Sequence, residues 1–440
     1  MSWLQNYFEL TQRGSSVGRE FRASIATFLT MAYILAANPA ILATAGIPPG
    51  SAGACTALAA GLCCLLMGCY ANFPIALASG MGLNAFIALS VVPETGSWQT
   101  AMGLVVLNGA VILLLVLAGL REAMLDAIPL DLRRAMAAGI GLFIATLGAV
   151  NAGLVIGLDG PGPPLGPGHF SDPRVLTTLA GVTLIAVLIS KRVPGAILIG
   201  IAASTGILLM LPPSELTTAG SLPTVAGLWK MPSFEIAFQA DIVAACSLKY
   251  LPLLLTLLMV DFFDTLGTVT AIGDRANLKD EQNRVTGLRR ILIVDSVSAS
   301  IGGLLGVSSV TSYVESAAGV SEGARTGLHT VFVGIFFLLC VFLAPLAAFI
   351  PLAATAPGLI VVGFLMCEGI TEIDFSQPDT AVPAFVTLLF VPLTYSISHG
   401  IGYGILTFVA LRLLTLRFRE LHPLMLAAAI VFAAAFLLGG

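Results

Sequence analysis

Fifteen apolar runs, most of them long enough to cross a lipid bilayer, constrain this chain more than any single motif. They lie at 20–43, 51–70, 73–92, 98–119, 129–151, 174–190 and 193–211, and then at 249–273, 287–306, 308–321, 326–350, 353–371, 379–397, 398–416 and 422–438. A helix needs about 20 apolar residues to span the hydrocarbon core. Only 10% of the residues are charged, against about 25% in a soluble domain. Such a chain is expected to fold as an all-α, polytopic membrane protein, because in lipid every backbone polar group must be bonded internally. The bilayer is its first partner, and no nucleic-acid partner is expected.

The runs divide as seven plus seven around a linker at 212–248 rich in Pro, Ser and Thr. The run 422–438 is left over, either as a fifteenth span or as an interfacial helix. The N-terminal stretch MSWLQNYFELTQRGSS is polar and amphipathic and is not a signal peptide. It is expected on the cytoplasmic surface. With Arg13, Arg19 and Arg22 inside, fourteen crossings place 17 of the 20 basic residues on that side, leaving Arg174, Lys230 and Lys249 outside. This agrees with the positive-inside rule and implies a multi-pass protein of the bacterial inner membrane or plasma membrane. An odd number of segments in each half makes the halves inverted relative to each other.

The run Leu257 to Thr270, LLMVDFFDTLGTVT, carries two carboxylates. Asp261, Asp264, Thr265 and Thr268 fall at i, i+3, i+4 and i+7, one face of a helix. A charge near the bilayer centre costs at least ~2.5 kcal/mol, so such residues mark sites and pathways. A polar seam between packed helices is the plainer alternative. The third run, ALASGMGLNAFIAL, and the tenth, GVSSVTSYVESAAGV, are short and rich in Gly and Ser. Each is expected to hold a short strand and a half-helix, beginning near Leu83 and Val314. Paired interrupted segments in inverted halves point to a transport site. Close helix packing through small residues is the alternative there, but it leaves Asn84 and Glu315 unexplained.

These residues give a substrate-site inventory. Glu315 and Asp264 are acceptors, Asn84 both donates and accepts, and Thr268 adds a hydroxyl. Backbone N–H groups near Asn84 and Val314, at two half-helix starts, are donors. Phe28, Tyr33, Phe86 and Tyr313 could form an aromatic wall. The set suits a small, flat, polar ring better than a bare anion, since no intramembrane Arg or Lys faces it. Asp264, Asp261 and Asp295 are candidates for carrying a proton, because burial favours the neutral carboxyl. Asp261 and Asp295 could equally serve packing, while Asn38, Asn108 and Asn151 read as packing or capping groups. Seven cysteines and four histidines show no metal-ligand spacing, so neither a metal nor a cofactor is expected.

VDFFDTLGTV, GVSSVTSYVESAAGVSEGARTGL and ASGMGLNAFIAL resemble the signature stretches of the AzgA-type hypoxanthine/guanine permeases. FLTMAYILAANP, RRAMAAGIGLFIATLGAVNAG and VPLTYSISHGIGYG are similar to the same family. The resemblance covers nearly the whole chain. It implies the nucleobase–cation symporter fold, a seven-plus-seven inverted repeat of about fourteen segments with strand-plus-half-helix segments 3 and 10. By that resemblance 20–119 and 249–350 form a core domain, and 120–211 and 351–418 a gate domain. Residues 1–19 form an N-terminal arm, 212–248 an extracytoplasmic linker and 419–440 a C-terminal apolar segment. The substrate glutamate of the tenth segment falls on Glu315, and the third segment's backbone contact falls at Asn84. The Glu-His-Leu-Gly-His stretch of the uracil branch reads Asp264-Thr265-Leu266-Gly267-Thr268 here, so no histidine is available for a proton role. The Glu-Asn-x-Gly motif reads Glu315-Ser316-Ala317-Ala318. Both departures favour oxopurines or adenine over uracil or xanthine.

The expected function is therefore proton-coupled import of purine nucleobases by alternating access, with a purine and a proton as partners. The family often forms homodimers, which this sequence alone does not show. A transporter of another small solute or anion on the same fold is the nearest alternative. A membrane-embedded enzyme is not expected, since Asp261 and Asp264 share one helix and Ile272-Gly273-Asp274 lacks the first glycine of an aspartyl-protease stretch. Nothing reads as the selectivity ring of a channel.

Overall fold

The computed structural model describes residues 2–119, 128–157, 165–210, 231–279, 285–343, 350–417 and 420–438. Its first span is bent at residues 32–33 into α1, Val17–Met31, and α2, Ile34–Ala43. It is followed by α3, Pro49–Leu66. The third segment is broken as expected. A strand β1, Leu77–Ser79, leads into a half-helix α4, Met81–Phe86, which continues through a π-helical turn to Thr95. Then come α5, Trp98–Leu117, and α6, Leu130–Asn151. The strands β2, Val155–Gly157, and β3, Leu165–Pro167, pair as a small hairpin. Nothing in the apolar periodicity announced this hairpin, because its strands are only three residues long. The helices α7, Pro173–Ser190, and α8, Ala196–Leu209, close the first half.

The second half repeats the pattern. It comprises α9, Leu251–Arg275, and α10, Leu288–Leu304, then the strand β4, Val310–Ser312, with the half-helix α11, Ser316–Ser321. Next come α12, Gly327–Cys340, α13, Leu352–Met366, α14, Pro378–Leu393, and α15, Ile397–Leu414. The half-helices begin at Met81 and Ser316, each two residues away from the starts read in the sequence.

The two broken segments meet. β1 pairs antiparallel with β4, with Leu77 opposite Ser312 and Ser79 opposite Val310. The ladder continues at both ends, where Gly80 N–H donates to Ser309 O at 2.9 Å and Tyr313 N–H to Ala76 O at 3.0 Å. Every residue of both strands is buried. Each strand thus satisfies the backbone of the other at a depth where water cannot. Because the strands are antiparallel, α4 and α11 leave the ladder in opposite directions, so the two sevens are inverted.

Packing falls into two groups around this ladder. In one, α12 lies on α1 and α3, and α5 lies on α10 and α9. In the other, α13 and α14 lie on α6, and α7 and α8 lie on α13. The leftover run forms a helix α16, Pro423–Leu438. Its buried residues Met425, Ala428, Ala429 and Phe432 recur at helical spacing and face α15 and α9. The stretch from residue 231 onward is not a loose linker. Phe238 N–H donates to Leu304 O at 2.6 Å and Asp241 N–H to Gln99 O at 2.9 Å, which docks it on α10 and α5. Residues 211–230, the rest of that linker, lie outside the described residues.

The contact between α6 and α13 is backbone on backbone. A Cβ added at Gly141 would stand 2.6 Å from Gly363 O and 2.8 Å from Met366 Cβ. Gly141→Val therefore forces the pair apart. It is expected to destabilise the protein by about 1–3 kcal/mol, the usual range for overpacking. A lowered midpoint of thermal unfolding in detergent is the measurement that checks this.

Candidate functional site

The stripe on α9 divides into two rows. Asp261 and Thr265 turn towards α5, α10 and β4, and both are fully buried. Asn108 Nδ2 of α5 and Ser309 Oγ each donate to Asp261 Oδ2 at 2.7 Å. Thr265 Oγ1 donates to Asp295 Oδ2 at 2.6 Å, and Ser312 Oγ to Asp295 Oδ1 at 2.8 Å. Thr311 Oγ1 lies 2.9 Å from Thr265 Oγ1, which has given its proton to Asp295. Two buried carboxylates, one on α9 and one on α10, thus tie β4 down through Ser309, Ser312 and, by way of Thr265, Thr311. These pairings give most of the buried polar groups a partner, while Asp261 Oδ1 and Asn108 Oδ1 have none among the described residues.

Asp264 and Thr268 form the other row. Thr268 is buried, whereas Asp264 is exposed and accepts no hydrogen bond among the described residues. Gly267, one turn beyond Asp264, has nothing within 4 Å of where a Cβ would stand. Val314 is also exposed, so β4 and α11 meet open space on the side where Asp264 does. At the start of α11 stands Glu315, half-buried, as the N-cap residue. Tyr33 Oη, at the bend between α1 and α2, donates to Glu315 Oε1 at 2.8 Å. Among the described residues, no other side chain donates to Oε2. A carboxylate oxygen held by a tyrosine keeps its neighbour oriented as an acceptor. Tyr313 Oη donates to Ser79 O at 2.5 Å, which links the two broken segments a third time.

The backbone donors differ between the half-helices. In α4 the N–H groups of Met81, Gly82 and Leu83 have no partner among the described residues, as expected for a first helical turn. In α11 the N–H groups of Ser316, Ala317 and Ala318 bond back to Tyr313, Val314 and Glu315 carbonyls at 3.2, 2.9 and 3.0 Å. The N–H groups of Val314 and Glu315 have no backbone acceptor among the described residues. Free donors therefore stand at both half-helix starts, three in α4 and two at the head of α11.

Asn84 is placed differently from the sequence reading. The residue that corresponds to Glu315 as N-cap is Gly80, and Asn84 sits a full turn further on. Its N–H is used on Gly80 O at 2.8 Å, and its Oδ1 accepts from Ser79 Oγ at 2.7 Å. Asn84 thereby fixes the exit of β1 and offers no free group to a ligand through those atoms. Of the aromatic residues, Tyr33, Tyr313 and Phe86 are buried at the ladder and half-helices. Phe28 instead packs edge-to-face on Phe336 and Phe337 of α12, with centroids 5.4 and 5.2 Å away. It is a packing ring, displaced from the wall because it lies more than a turn before the bend that carries Tyr33.

Several residues of this arrangement carried little sequence signal. Asn108 reads as a capping group, yet it is a donor to Asp261. Ser309 and Ser312 are ordinary small residues until the ladder brings them to acids, as is Ser79 until it meets Asn84 and Tyr313. Ile140 of α6 carries no polar signal at all. Its Cγ2 atom lies 2.6 Å from where a Cβ at Gly82 would stand, with Met366 Cε at 3.8 Å, so these side chains cover the start of α4.

Comparison with known proteins places this geometry. Residues 18–402 match the Xan_ur_permease family, described as the Permease family. The chain is 38% identical to the guanine/hypoxanthine permease PbuG of Bacillus subtilis, over 99% of each chain. It is 35% identical to the adenine permease AdeP of Escherichia coli, over 98% of this chain and 95% of that one. The transmembrane domain of a cyanobacterium bicarbonate transporter, BicA, superimposes with a TM-score of 0.60 at 17% identity, covering 87% of this chain and 96% of that one. That likeness shows the shared inverted-repeat fold. With a family match running from α1 into α15 and full-length relatives above one-third identity, the chain belongs to the permease family.

Proposed function

We propose that this protein imports purine nucleobases in symport with protons, by alternating access. The observation that carries the reading is the Tyr33–Glu315 pair at the head of α11, together with Asp264, which is exposed and has no hydrogen-bond partner among the described residues. Two relatives at 35% and 38% identity are named for adenine and for guanine/hypoxanthine transport, which supports a purine as the substrate. In this reading Glu315 Oε2 accepts from the purine N1–H, and from the 2-amino group if the base is guanine. The free N–H groups of Met81, Gly82 and Leu83 donate to its carbonyl oxygen or a ring nitrogen. Asp264, open to the same space, takes up the proton. Asp261 and Asp295 are the second choice for that role, because both already bind the strand that carries Tyr313 and Glu315.

The packing groups suit a core domain, 20–119 with 249–350, moving against a gate domain, 120–211 with 351–418. Ile140 and Met366 lie on the gate side of that division and would leave α4 as the site opens. The basic residues around Arg13, Arg19 and Arg325 support an N-terminus in the cytoplasm of a cell-membrane protein.

Three measurements test this reading. Glu315→Gln keeps the shape and removes the anion. Losing a charged hydrogen bond costs roughly 1.5–3 kcal/mol, so radiolabelled hypoxanthine uptake should fall at least tenfold at normal membrane abundance. Wild-type affinity in the purified variant would reject Glu315 as the acceptor.

Asp264→Asn can still hydrogen-bond a base but has no proton to take up. It should retain binding and lose accumulation driven by a pH gradient in proteoliposomes. Normal proton-driven accumulation would move the coupling role to Asp261 or Asp295.

In competition assays, hypoxanthine and guanine should displace label in the micromolar range, while xanthine and uracil compete weakly. Xanthine presents an acceptor at C2 to the carboxylate, and an unpaired buried polar group is what makes a site reject a near-isostere. Uracil or xanthine outcompeting hypoxanthine would overturn the placement of Glu315.

A further inference from the structure

His329 of α12 is fully buried in an apolar helix, and the transport reading gives it no role. Its Nε2 lies 2.9 Å from Thr27 Oγ1 of α1. Its Nδ1 has no partner among the described residues. Burying an imidazole with one nitrogen unsatisfied is unfavourable, so the single contact it makes deserves a physical account. Thr27 Oγ1 in turn accepts from the Gly319 N–H at 3.1 Å, in the middle of α11. The chain His329–Thr27–Gly319 therefore ends on the backbone of the half-helix that carries Glu315.

The approach is close enough to require glycine. A Cβ at position 319 would stand 2.5 Å from His329 Nε2 and 2.8 Å from Ala23 O. The same helix α1 grips α11 at two further heights. Glu20 Oε1 accepts from the Arg325 N–H at 3.0 Å, just past the end of α11, while the Arg325 guanidinium caps Val320 O and Ala324 O at 2.8 and 2.6 Å. Tyr33, beyond the end of α1, holds the Glu315 carboxylate at the other end. A helix of six residues has little stability of its own, so its position is set by such external contacts. Of the three, the Thr27 contact is the one made directly to the middle of its backbone.

We propose that Thr27 and His329 are positioning residues that fix the height of α11, and with it the place of the Glu315 carboxylate. His329 orients the Thr27 hydroxyl, and the hydroxyl oxygen anchors the Gly319 N–H. The consequence for substrate affinity rests on the reading of Glu315 as the substrate acceptor; the anchoring itself does not.

The test pairs variants that remove the contact with variants that keep it. Thr27→Val and His329→Leu remove it with nearly conserved shape or apolarity, whereas Thr27→Ser keeps the hydroxyl and His329→Gln places an amide near the Nε2 position. Hydrogen exchange of purified, substrate-free protein is read on the peptide covering 314–322, with α6 and α14 as internal references. Exchange there is expected to rise at least tenfold in Thr27→Val and His329→Leu, with the references unchanged, and to stay at the wild-type rate in Thr27→Ser and His329→Gln. Hypoxanthine uptake should show KM raised at least tenfold in the first pair at an unchanged maximal rate per surface copy. Wild-type exchange on 314–322 in both Thr27→Val and His329→Leu would overturn the proposal, as would equal loosening of the references. Faster exchange on 314–322 alone, in a protein whose wild type does not carry hypoxanthine, upholds the anchoring and rejects the purine reading.

Discussion

The pairing of β1 with β4 is the interaction on which the remaining structure depends. Extended backbone at bilayer depth has no water to satisfy it. Here three residues from each half supply one another's hydrogen bonds, and Gly80 and Tyr313 extend the ladder by one bond at each end. Without this ladder neither half-helix could begin in the middle of the protein, and neither Glu315 nor the free N–H groups of α4 would stand there. The side chains reinforce it. Asp261 and Asp295 hold β4 through hydroxyls, Tyr313 reaches across to Ser79 O, and Asn84 holds the end of β1 through Ser79 Oγ. The most polar part of the membrane core is therefore also its most densely bonded part.

Much of the fold was legible in the sequence because lipid leaves few alternatives. A long apolar run is a helix, and the runs ended within a few residues of the observed helices; 129–151, for instance, corresponds to Leu130–Asn151. The two broken segments were legible through their Gly and Ser content and their lack of length. Glu315, Asp264, Asp261 and Asp295 stood out because a carboxylate in such a run needs a reason to be there.

What escaped the sequence is what only pairing decides. Asn84 looked equivalent to Glu315 by position in its run, but the residue that caps α4 as Glu315 caps α11 is Gly80. Spacing on α9 put four polar residues on one face, yet only three-dimensional packing leaves Asp264 open while Asp261, Thr265 and Thr268 are buried. Ser309 and Ser312 are hydroxyls among many until two acids are brought to them. Ile140 has no signal at all, since a residue that covers a site by shape looks like any other apolar residue on an apolar helix.

The replacement of a glutamate by a glycine at the two N-caps has a consequence for direction. The fold is an inverted repeat, but its centre is not symmetric: both halves leave N–H groups free, and only one adds an anion. In the purine reading proposed above, a base between them would find its anionic acceptor on one flank only. Turned end over end it would set an acceptor edge against Glu315, so that reading gives the base one favoured pose. On that reading the duplicated architecture would yield a site with a single sense, in which the ligand keeps one heading relative to the α11 half even as the path ahead of it switches from one side of the membrane to the other.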